Sequence, residues 1–258
     1  MTDYLNRAAE EYFGIKADPC DIEKLYTHII KTYGVLNSET LKKVFSSGEA
    51  AAFLTVNETY FFREPMHFSF LRSRLPDFEQ SGLRICCASA ASGCEAYSLA
   101  ILIEAYNKGL EKPLSYHIDA FDINPAVIKT ANEGIYGARA MREDGSNFHY
   151  MAEPYIKKLG NGYGTEYRVD ASLKKNINFF VHNLLNEFPA GGYDFIFFRN
   201  TFIYFTAQNK ERLFCNLAAA LKEGGILIMG VSETAGAYPP QLDSKNENDV
   251  FYFQKPGK

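Results

Sequence analysis

Apolar positions in the first part of the chain recur at the three- and four-residue spacing of amphipathic helices. In the segment 21–33 they are Ile22, Leu25, Tyr26, Ile29 and Ile30. Asn37 or Ser38 is suited to cap a following helix that contains Leu41 and Val44. We therefore predict that residues 1–56 form a small helical subdomain.

From about residue 82 the pattern changes to short apolar runs that alternate with helical segments. The runs predicted as strands are 84–89, 116–121, 177–181, 193–198, 226–230 and 250–253, with helical periodicity at 97–105, 126–132 and 208–221. This alternation predicts an α/β fold with a doubly wound, mainly parallel sheet in a domain spanning residues 57–258. Residues 137–175 break the rhythm, and Gly160, Gly162, Gly164 and the run 167–169 predict a β-hairpin insertion there.

Composition excludes several classes of protein. The 258 residues are 47% hydrophobic and 22% charged, which argues against disorder and collagen-like structure. A formal net charge of -4 gives no global positive field, so we expect no nucleic-acid partner. The sequence shows no export signal and no long apolar stretch, so we expect a cytoplasmic protein without membrane insertion. Scattered histidines and five cysteines without Cys-x-x-Cys spacing predict no metal site.

Candidate chemistry lies directly after four of the predicted strands. Ligands of doubly wound sheets bind beyond the carboxyl ends of the strands. The residues found there are Ser92-Gly93-Cys94-Glu95, Asp122, Asn183-Leu184 and Arg199-Asn200, with Tyr204 four positions beyond Asn200. An acidic side chain after the second strand can accept hydrogen bonds from both hydroxyls of a ribose. The loop after the first strand has a single glycine, where a dinucleotide-binding loop has three. A nucleoside ligand without phosphate fits this set better, and S-adenosylmethionine is the commonest such cofactor.

Each of these positions also has a structural interpretation. Gly93 can serve a simple turn, and Asp122 can cap the next helix. Asn183 can close a turn, while Tyr204 can be a core aromatic residue. The ordered combination favours the nucleoside site over four separate structural roles.

A more specific pattern joins these positions to the segment upstream of the first strand. Its residues are Asn57-x-Thr59-x-Phe61-Phe62-Arg63-Glu64-x-x-His67-Phe68, Ser92-Gly93-x-Glu95-x-Tyr97-Ser98-Leu99-Ala100, Asp122-Ile123, Gly134-Ile135-Tyr136, Asn183-Leu184, Phe198-Arg199-Asn200-x-x-Ile203-Tyr204-Phe205 and Gly230-x-Ser232-Glu233. The pattern resembles the CheR-type chemotaxis-receptor glutamate O-methyltransferases. The resemblance runs from residue 57 through the rest of the sequence.

The resemblance implies an S-adenosylmethionine-dependent methyltransferase that forms γ-methyl esters on glutamates of a protein, a chemoreceptor or a related signalling protein. S-adenosylhomocysteine is the second product, and the helical part and the β insertion would belong to receptor docking. The implied cofactor-binding residues are Asn57, Thr59, Arg63, Glu95, Asp122, Asn183, Leu184, Phe198 and Arg199. Arg63 and Tyr204 would be catalytic at the transferred methyl group, and Asn200 would contact the substrate.

The implied chemistry asks little acid–base work of the protein. A glutamate side chain is already ionised at neutral pH, so catalysis becomes alignment of an in-line displacement together with desolvation of the carboxylate. A guanidinium that held the carboxylate too tightly would stabilise the ground state. We therefore expect Arg63 to position the substrate or cofactor.

The sequence departs from the family pattern at three places. Cys94 and Ala96 stand where the family has a glutamate and a proline, and Val231 replaces a histidine. Residues 1–56 carry six basic and eight acidic side chains and lack an arginine-rich helix, so the acceptor can be a protein other than a chemoreceptor. The alternatives are an O-methyltransferase with a different acceptor, or a non-catalytic module that binds the same cofactor.

Overall fold

The computed structural model describes residues 2–142, 148–160, 164–188, 190–233 and 241–257. The chain begins with the helices α1 (Thr2–Phe13), α2 (Pro19–Tyr33), α3 (Ser38–Ser46) and α4 (Ala51–Leu54). Asp18 caps α2 by accepting a hydrogen bond from the Cys20 amide at 2.8 Å, and Asn37 caps α3 through the Thr40 amide at 2.8 Å. The predicted helical layer is therefore present, whereas its boundary at residue 56 stays a prediction.

Strands and helices alternate through the rest of the chain. The strands are β1 (Leu83–Ala88), β2 (Tyr116–Asp122), β3 (Ile135–Gly137), β4 (Ile156–Leu159), β5 (Glu166–Val169), β6 (Ile177–Val181), β7 (Tyr193–Phe198), β8 (Leu221–Met229), β9 (Asp243–Glu247) and β10 (Val250–Gln254). The helices are α5 (Pro65–Arg74), α6 (Cys94–Asn107), α7 (Pro125–Glu133), α8 (His149–Ala152), α9 (Ala171–Lys174) and α10 (Ala207–Ala220). Short 3-10 segments follow α5, β3, β7 and β8.

Among the described residues, seven strands form the main sheet in the order β6-β2-β1-β7-β8-β10-β9. The pairs from β6 through β8 are parallel, and β10 pairs antiparallel with β8 and β9. This order confirms the predicted doubly wound, mainly parallel α/β fold. The polar strand β9 was not predicted, because its sequence Asp-Ser-Lys-Asn-Glu has no apolar alternation.

Two apolar layers cover the main sheet. One contains residues of α1 to α3 and α10 together with Ile196 and Phe198 of β7. The other contains residues of α5 and α6 together with Phe195 and Phe197 of the same strand. Alternate side chains of β7 therefore enter opposite layers, as expected for a central strand. The N-terminal helices share a core with the sheet.

The insertion forms a second, antiparallel sheet in the order β3-β5-β4. Arg168 of β5 lies opposite Ile135 on one side and Lys157 on the other. Gly160 and Gly164 have φ values of 79° and 87°, which fits their predicted place in a turn. The predicted turn residue Gly162 lies outside the described residues, and the bounds 137–175 stay a prediction.

Candidate active site

A cleft lies at the edge of the main sheet where the parallel strands end. Its lining includes the predicted residues Asn57, Thr59, Arg63, Glu95, Asp122, Asn183, Leu184, Arg199, Asn200 and Tyr204. About 960 Å³ of space lies within it, part of which is open to solvent. Phe13 and Ile15 add an apolar wall from the N-terminal helical layer.

Phe198 is the predicted residue that lies away from this cleft. Its side chain is fully buried, and its ring packs against Phe202 and Phe205 at centroid distances of 6.1 and 6.4 Å. Because neighbouring side chains of a strand point to opposite faces, Phe198 enters the core while the next residue, Arg199, reaches the cleft. The structure thus assigns Phe198 a packing role.

Asp122 ends β2 and connects two loops of the cleft. Its Oδ2 accepts a hydrogen bond from the Ala91 amide and its Oδ1 one from the Asn124 amide, both at 3.0 Å. Burial raises the pKa of Asp122, while the backbone amides oppose this rise. Asn124 caps α7 through the Ala126 amide at 2.9 Å, so Asp122 is not the helix cap.

The loop after β1 has a strained backbone. Ser89 and Ala91 have φ values of 69° and 46°, a region that residues with a side chain rarely adopt. A Cβ atom added at Gly93 would lie 2.8 Å from the Ala131 Cβ and 2.9 Å from the Phe179 ring. Packing against α7 and β6 therefore requires a glycine at position 93.

Cys94, at the position of the family's first glutamate, starts α6. Its side chain is buried, and burial raises its pKa to about 12 while contacts with Ser92 and Thr59 lower it. Cys94 does not line the cleft, whereas Glu95 does. The replacement of this glutamate by Cys94 therefore changes the buried layer behind the cleft wall.

The segment between α4 and α5 carries Arg63 to the cleft. Phe61 and Phe62 are fully buried, and their amides donate to the Ala140 carbonyl and to the Ser98 Oγ, each at 2.9 Å. Arg63 Nη1 donates to the Glu58 carbonyl at 2.9 Å. Two anchored aromatic residues therefore fix the backbone immediately before Arg63.

A buried network of charges lies behind Arg63. The Arg199 side chain is 3% exposed and donates to Glu95 Oε2 at 2.7 Å and to Glu64 Oε2 at 3.1 Å. Asn200 Nδ2 donates to Glu64 Oε1 at 3.0 Å. Burial alone would raise the pKa of Glu64, but Arg199 and Asn200 hold it below its ordinary value. Arg199 faces two carboxylates, so the formal charges of Glu64, Glu95 and Arg199 leave one excess negative charge in this wall.

The side-chain amide of Asn183 forms hydrogen bonds within the protein. Its Nδ2 donates to the Tyr12 carbonyl at 2.6 Å, and its Oδ1 accepts from the Leu185 amide at 3.0 Å. These bonds match the turn-closing interpretation of Asn183. They fix the adjacent Leu184, which is 6% exposed, in the cleft wall.

Tyr204 lies in a 3-10 turn, Phe202–Tyr204, that follows β7. Burial raises the pKa of its phenol, the Glu233 carboxylate raises it further, and the Arg63 charge lowers it. The charges of Arg63 and Glu233 therefore act on the same hydroxyl. Tyr204 is thus a cleft residue in addition to packing beside the core.

Several residues of the site were not singled out as site residues from the sequence. Glu58 lines the cleft and pairs with Arg142, Glu64 binds Arg199, and Tyr12 fixes Asn183. Glu64 and Glu233 belong to the motifs of the resemblance, but their partners lie far away in the sequence. Glu58 and Tyr12 carry no local signal.

The donors and acceptors of the cleft suit a nucleoside ligand that carries a positive charge. Glu58, Glu95 and Asp122 outnumber Arg63 and Arg199 among its charged lining residues. Among the residues that the structure describes, no group of three or more His, Cys, Asp or Glu is placed to hold a metal ion. A doubly wound sheet with a cleft beyond its strand ends defines a protein that binds a nucleoside-containing ligand there.

Comparison with known proteins gives the family. The family described as "CheR methyltransferase, SAM binding domain" matches residues 57–248, and the chain belongs to this family. It is 32% identical over 227 residues to the chemotaxis protein methyltransferase of Listeria innocua, covering 86% of this chain and 82% of that protein. Chemotaxis protein methyltransferase 1 of Pseudomonas aeruginosa is 31% identical over 72% of this chain and 69% of its own length.

A further relative carries a different name. The chain is 32% identical to the probable biofilm formation methyltransferase WspC of Pseudomonas putida, over 69% of this chain and 42% of that protein. All three relatives are named as methyltransferases. The chain is accordingly an S-adenosylmethionine-dependent protein methyltransferase. In the described part of the chain, no helix has the length and apolar character to cross a membrane.

Proposed function

We propose that this protein transfers a methyl group from S-adenosylmethionine to the γ-carboxylate of a glutamate in the cytoplasmic region of a chemoreceptor. The observation that carries this proposal is that Arg63 and Tyr204 line the same cleft as Asp122 and Glu95. Relatives named chemotaxis protein methyltransferase support the choice of acceptor. The protein would act in the cytoplasm, where such a region is accessible.

The residues of the cleft fit the cofactor. Asp122 is a buried carboxylate that accepts backbone hydrogen bonds, and it would hold the ribose hydroxyls. Leu184 would contact the adenine face, and Glu95 the methionine moiety, with Asn57 and Thr59 near the reactive end. Asn183 would act through the backbone that it fixes. When bound, S-adenosylmethionine supplies an electrophilic methyl group on a cationic sulfur.

The residues at the mouth would bind and align the acceptor. A guanidinium has five N–H donors, so the bond of Arg63 to the Glu58 carbonyl leaves donors for a carboxylate oxygen. The raised pKa of Tyr204 keeps its phenol protonated and able to donate a hydrogen bond. Asn200 would contact the acceptor backbone. The acceptor is ionised at neutral pH, so the protein needs no general base.

The partner-docking role of the two smaller units is also a proposal. Residues 1–56 carry six basic and eight acidic side chains and so bring no net positive charge to an acidic coiled coil. The β3-β5-β4 sheet, in contrast, has free edges at β3 and β4 within the described residues. A peptide strand could add to such an edge. We therefore assign partner docking to the insertion, residues 137–175.

The test is transfer of tritiated methyl from S-adenosylmethionine to purified receptor cytoplasmic fragments, followed by release of the label in alkali. We expect alkali-labile label with the wild type. Arg63→Ala and Tyr204→Phe should both lose most transfer, and Tyr204→Phe should retain cofactor binding by calorimetry. As a control, Arg212→Ala changes an exposed arginine on α10 outside the cleft. Tight cofactor binding without alkali-labile label on any fragment would refute the proposed acceptor.

A further inference from the structure

Glu233 is a buried carboxylate that contacts the cleft residue Asn200 without lining the cleft itself. It is 5% exposed and belongs to a short 3-10 turn, Val231–Glu233, after β8. Its Oε2 accepts hydrogen bonds from the Asn200 amide at 2.6 Å and from the Gly230 amide at 3.1 Å. One side chain therefore ties the loop after β7 to the loop after β8.

The backbone that Glu233 holds is the one that leads to Tyr204. Asn200 has a φ of 58°, in the left-handed region that an asparagine adopts only at a cost. The 3-10 turn Phe202–Tyr204 follows directly. Burial raises the pKa of Glu233, while the backbone amides of Asn200, Gly230, Phe202 and Ile203 oppose the rise. The carboxylate thus faces the amides at the start of that turn.

Gly230 leaves the space in which this contact forms. A Cβ atom at Gly230 would lie 2.7 Å from Asn200 Nδ2 and 2.9 Å from Glu233 Oε2. A real Cβ essentially never comes so close to another heavy atom, so any side chain at Gly230 would displace Asn200 or Glu233. The contact between Glu233 and Asn200 therefore depends on a glycine at position 230.

We propose that Glu233 is a positioning residue for methyl transfer, which holds the loop of Asn200 and Tyr204 in the conformation that receives the acceptor. This inference rests on the proposed function, because it assigns Asn200 and Tyr204 to the acceptor. Asp122 and Leu184, on the other strand ends, are not held by Glu233. Glu233 should therefore affect acceptor turnover and leave cofactor affinity unchanged.

The variant Glu233→Gln tests this role, since glutamine keeps the shape and one acceptor oxygen but loses the charge. Charge-assisted hydrogen bonds are stronger than neutral ones, so we expect kcat/KM for the acceptor to fall about tenfold. The dissociation constant for S-adenosylmethionine should stay within about twofold of the wild type. Hydrogen exchange of the backbone amides at residues 200–204 should become faster.

The matched control is Asp194→Asn. Asp194 is also a buried carboxylate, 8% exposed, and accepts from the Arg84 amide at 2.8 Å, but it lies near the amino end of β7. It should leave acceptor kinetics unchanged. Gly230→Ala is a second variant, and it should reproduce the defect of Glu233→Gln without removing the carboxylate.

The possible outcomes separate the two proposals. Wild-type acceptor kinetics in Glu233→Gln, an equal loss in Asp194→Asn, or unchanged exchange at residues 200–204 would overturn the role of Glu233. A parallel loss of cofactor affinity would also overturn it, since that indicates a general defect of the site. Failure of the wild type to label any acceptor would instead refute the proposed function, and the role of Glu233 with it.

Discussion

Asp122 has a structural task that differs from the helix cap considered for it from the sequence. Its carboxylate fixes the Ala91 amide of the strained loop after β1 and lines the cleft, while Asn124 caps the following helix. A ligand hydroxyl would donate to a carboxylate that the Ala91 and Asn124 amides already orient. Orientation by backbone amides reduces the cost of ordering the site when a ligand binds.

We expect Asp122→Ala to weaken S-adenosylmethionine binding by about 1.5–3 kcal/mol, the scale of a lost hydrogen bond to a charged group. Calorimetric titration measures this loss. Because burial raises the pKa of Asp122, cofactor affinity should fall as the pH drops through a value above that of an ordinary aspartate. The control is Asp170→Ala, which removes a carboxylate that accepts the Ser172 amide at 2.9 Å outside the cleft. Equal weakening in both variants would contradict the assignment.

His67 should make the stability of the protein depend on pH. Its side chain is 2% exposed, and burial together with the Arg199 charge lowers its pKa to about 3, against the opposing effect of Glu64. In the unfolded chain His67 therefore binds a proton below about pH 6.5, whereas in the folded protein His67 stays neutral down to about pH 3. Stability is lost as the pH falls below 6.5, with a slope of up to about 1.4 kcal/mol per pH unit.

Urea unfolding between pH 6.5 and 4.5 measures this slope, above the range where most carboxylates titrate. His67→Gln should flatten the curve. The pKa of His182 is also lowered by burial, so His182 adds to the slope in both proteins. His117→Asn, at an imidazole that is 46% exposed, is the control. An unchanged slope in His67→Gln would show that another group is responsible.

At the scale of elements, the insertion is joined directly to the segment that carries Arg63. The Phe61 amide donates to the Ala140 carbonyl, and Arg142 Nη1 donates to Glu58 Oε1 at 2.8 Å. The Arg142 guanidinium also lies 3.8 Å from the centroid of the Tyr60 ring. Glu58 and Tyr60 both line the cleft. A shift of the insertion would therefore move Glu58 and Tyr60 in the cleft wall.

We expect Arg142→Ala to lower kcat/KM for the acceptor about three- to tenfold, because the wall formed by Glu58 and Tyr60 loses a cation–π and an ionic contact. Steady-state transfer assays measure the effect. Arg139→Ala, an exposed arginine three positions earlier, should change little. Thermal unfolding should be nearly unaffected in both variants, since both side chains are exposed. A loss of stability in Arg142→Ala would indicate a structural role.

At the scale of the whole molecule, the N-terminal helices share a core with the sheet and contact the loop that carries Tyr204. Ile15 pairs with Phe205 in an isolated antiparallel bridge, and the Lys16 amide donates to the Tyr204 carbonyl at 3.1 Å. Phe45 of α3 is 2% exposed and packs against the rings of Tyr12 and Phe13. Stability of this layer is therefore coupled to the position of Tyr204.

Phe45→Ala should lower the free energy of unfolding by about 3–5 kcal/mol, as for other buried phenylalanines. Denaturation followed by circular dichroism and by cofactor binding should give coincident curves, since both report one cooperative transition. Tyr4→Ala, at a tyrosine of α1 that is 44% exposed, should change stability little. Two separate transitions would mean that the helical layer unfolds independently.

The membership of the cleft could be predicted from the sequence because parallel strands end at a common edge. This rule placed Asp122, Leu184 and Arg199 together without knowledge of their contacts. Phe198 was assigned to the cleft by resemblance, and the alternation of side chains on β7 places it in the core instead.

Partners from distant parts of the chain could not be predicted in this way. Asn183 binds the Tyr12 carbonyl across 171 positions, and Arg199 binds Glu64 across 135. No local periodicity records such a contact, because it depends on how whole elements pack. The polar strand β9 was missed for a related reason, since its pairing with β10 is determined by neighbouring backbone and not by its own side chains.

That outermost strand affects how molecules of this protein meet one another. A sheet edge with unpaired backbone groups can recruit a strand from a second molecule and begin aggregation. Here the edge is formed by exposed polar side chains, among which Lys245 binds Gln254 and Glu247 binds Arg74. Asp243, Lys245 and Glu247 alternate with Ser244 and Asn246, so the charges lie on one face of β9. These charges make further strand addition costly, and β9 therefore opposes self-association at this edge of the sheet.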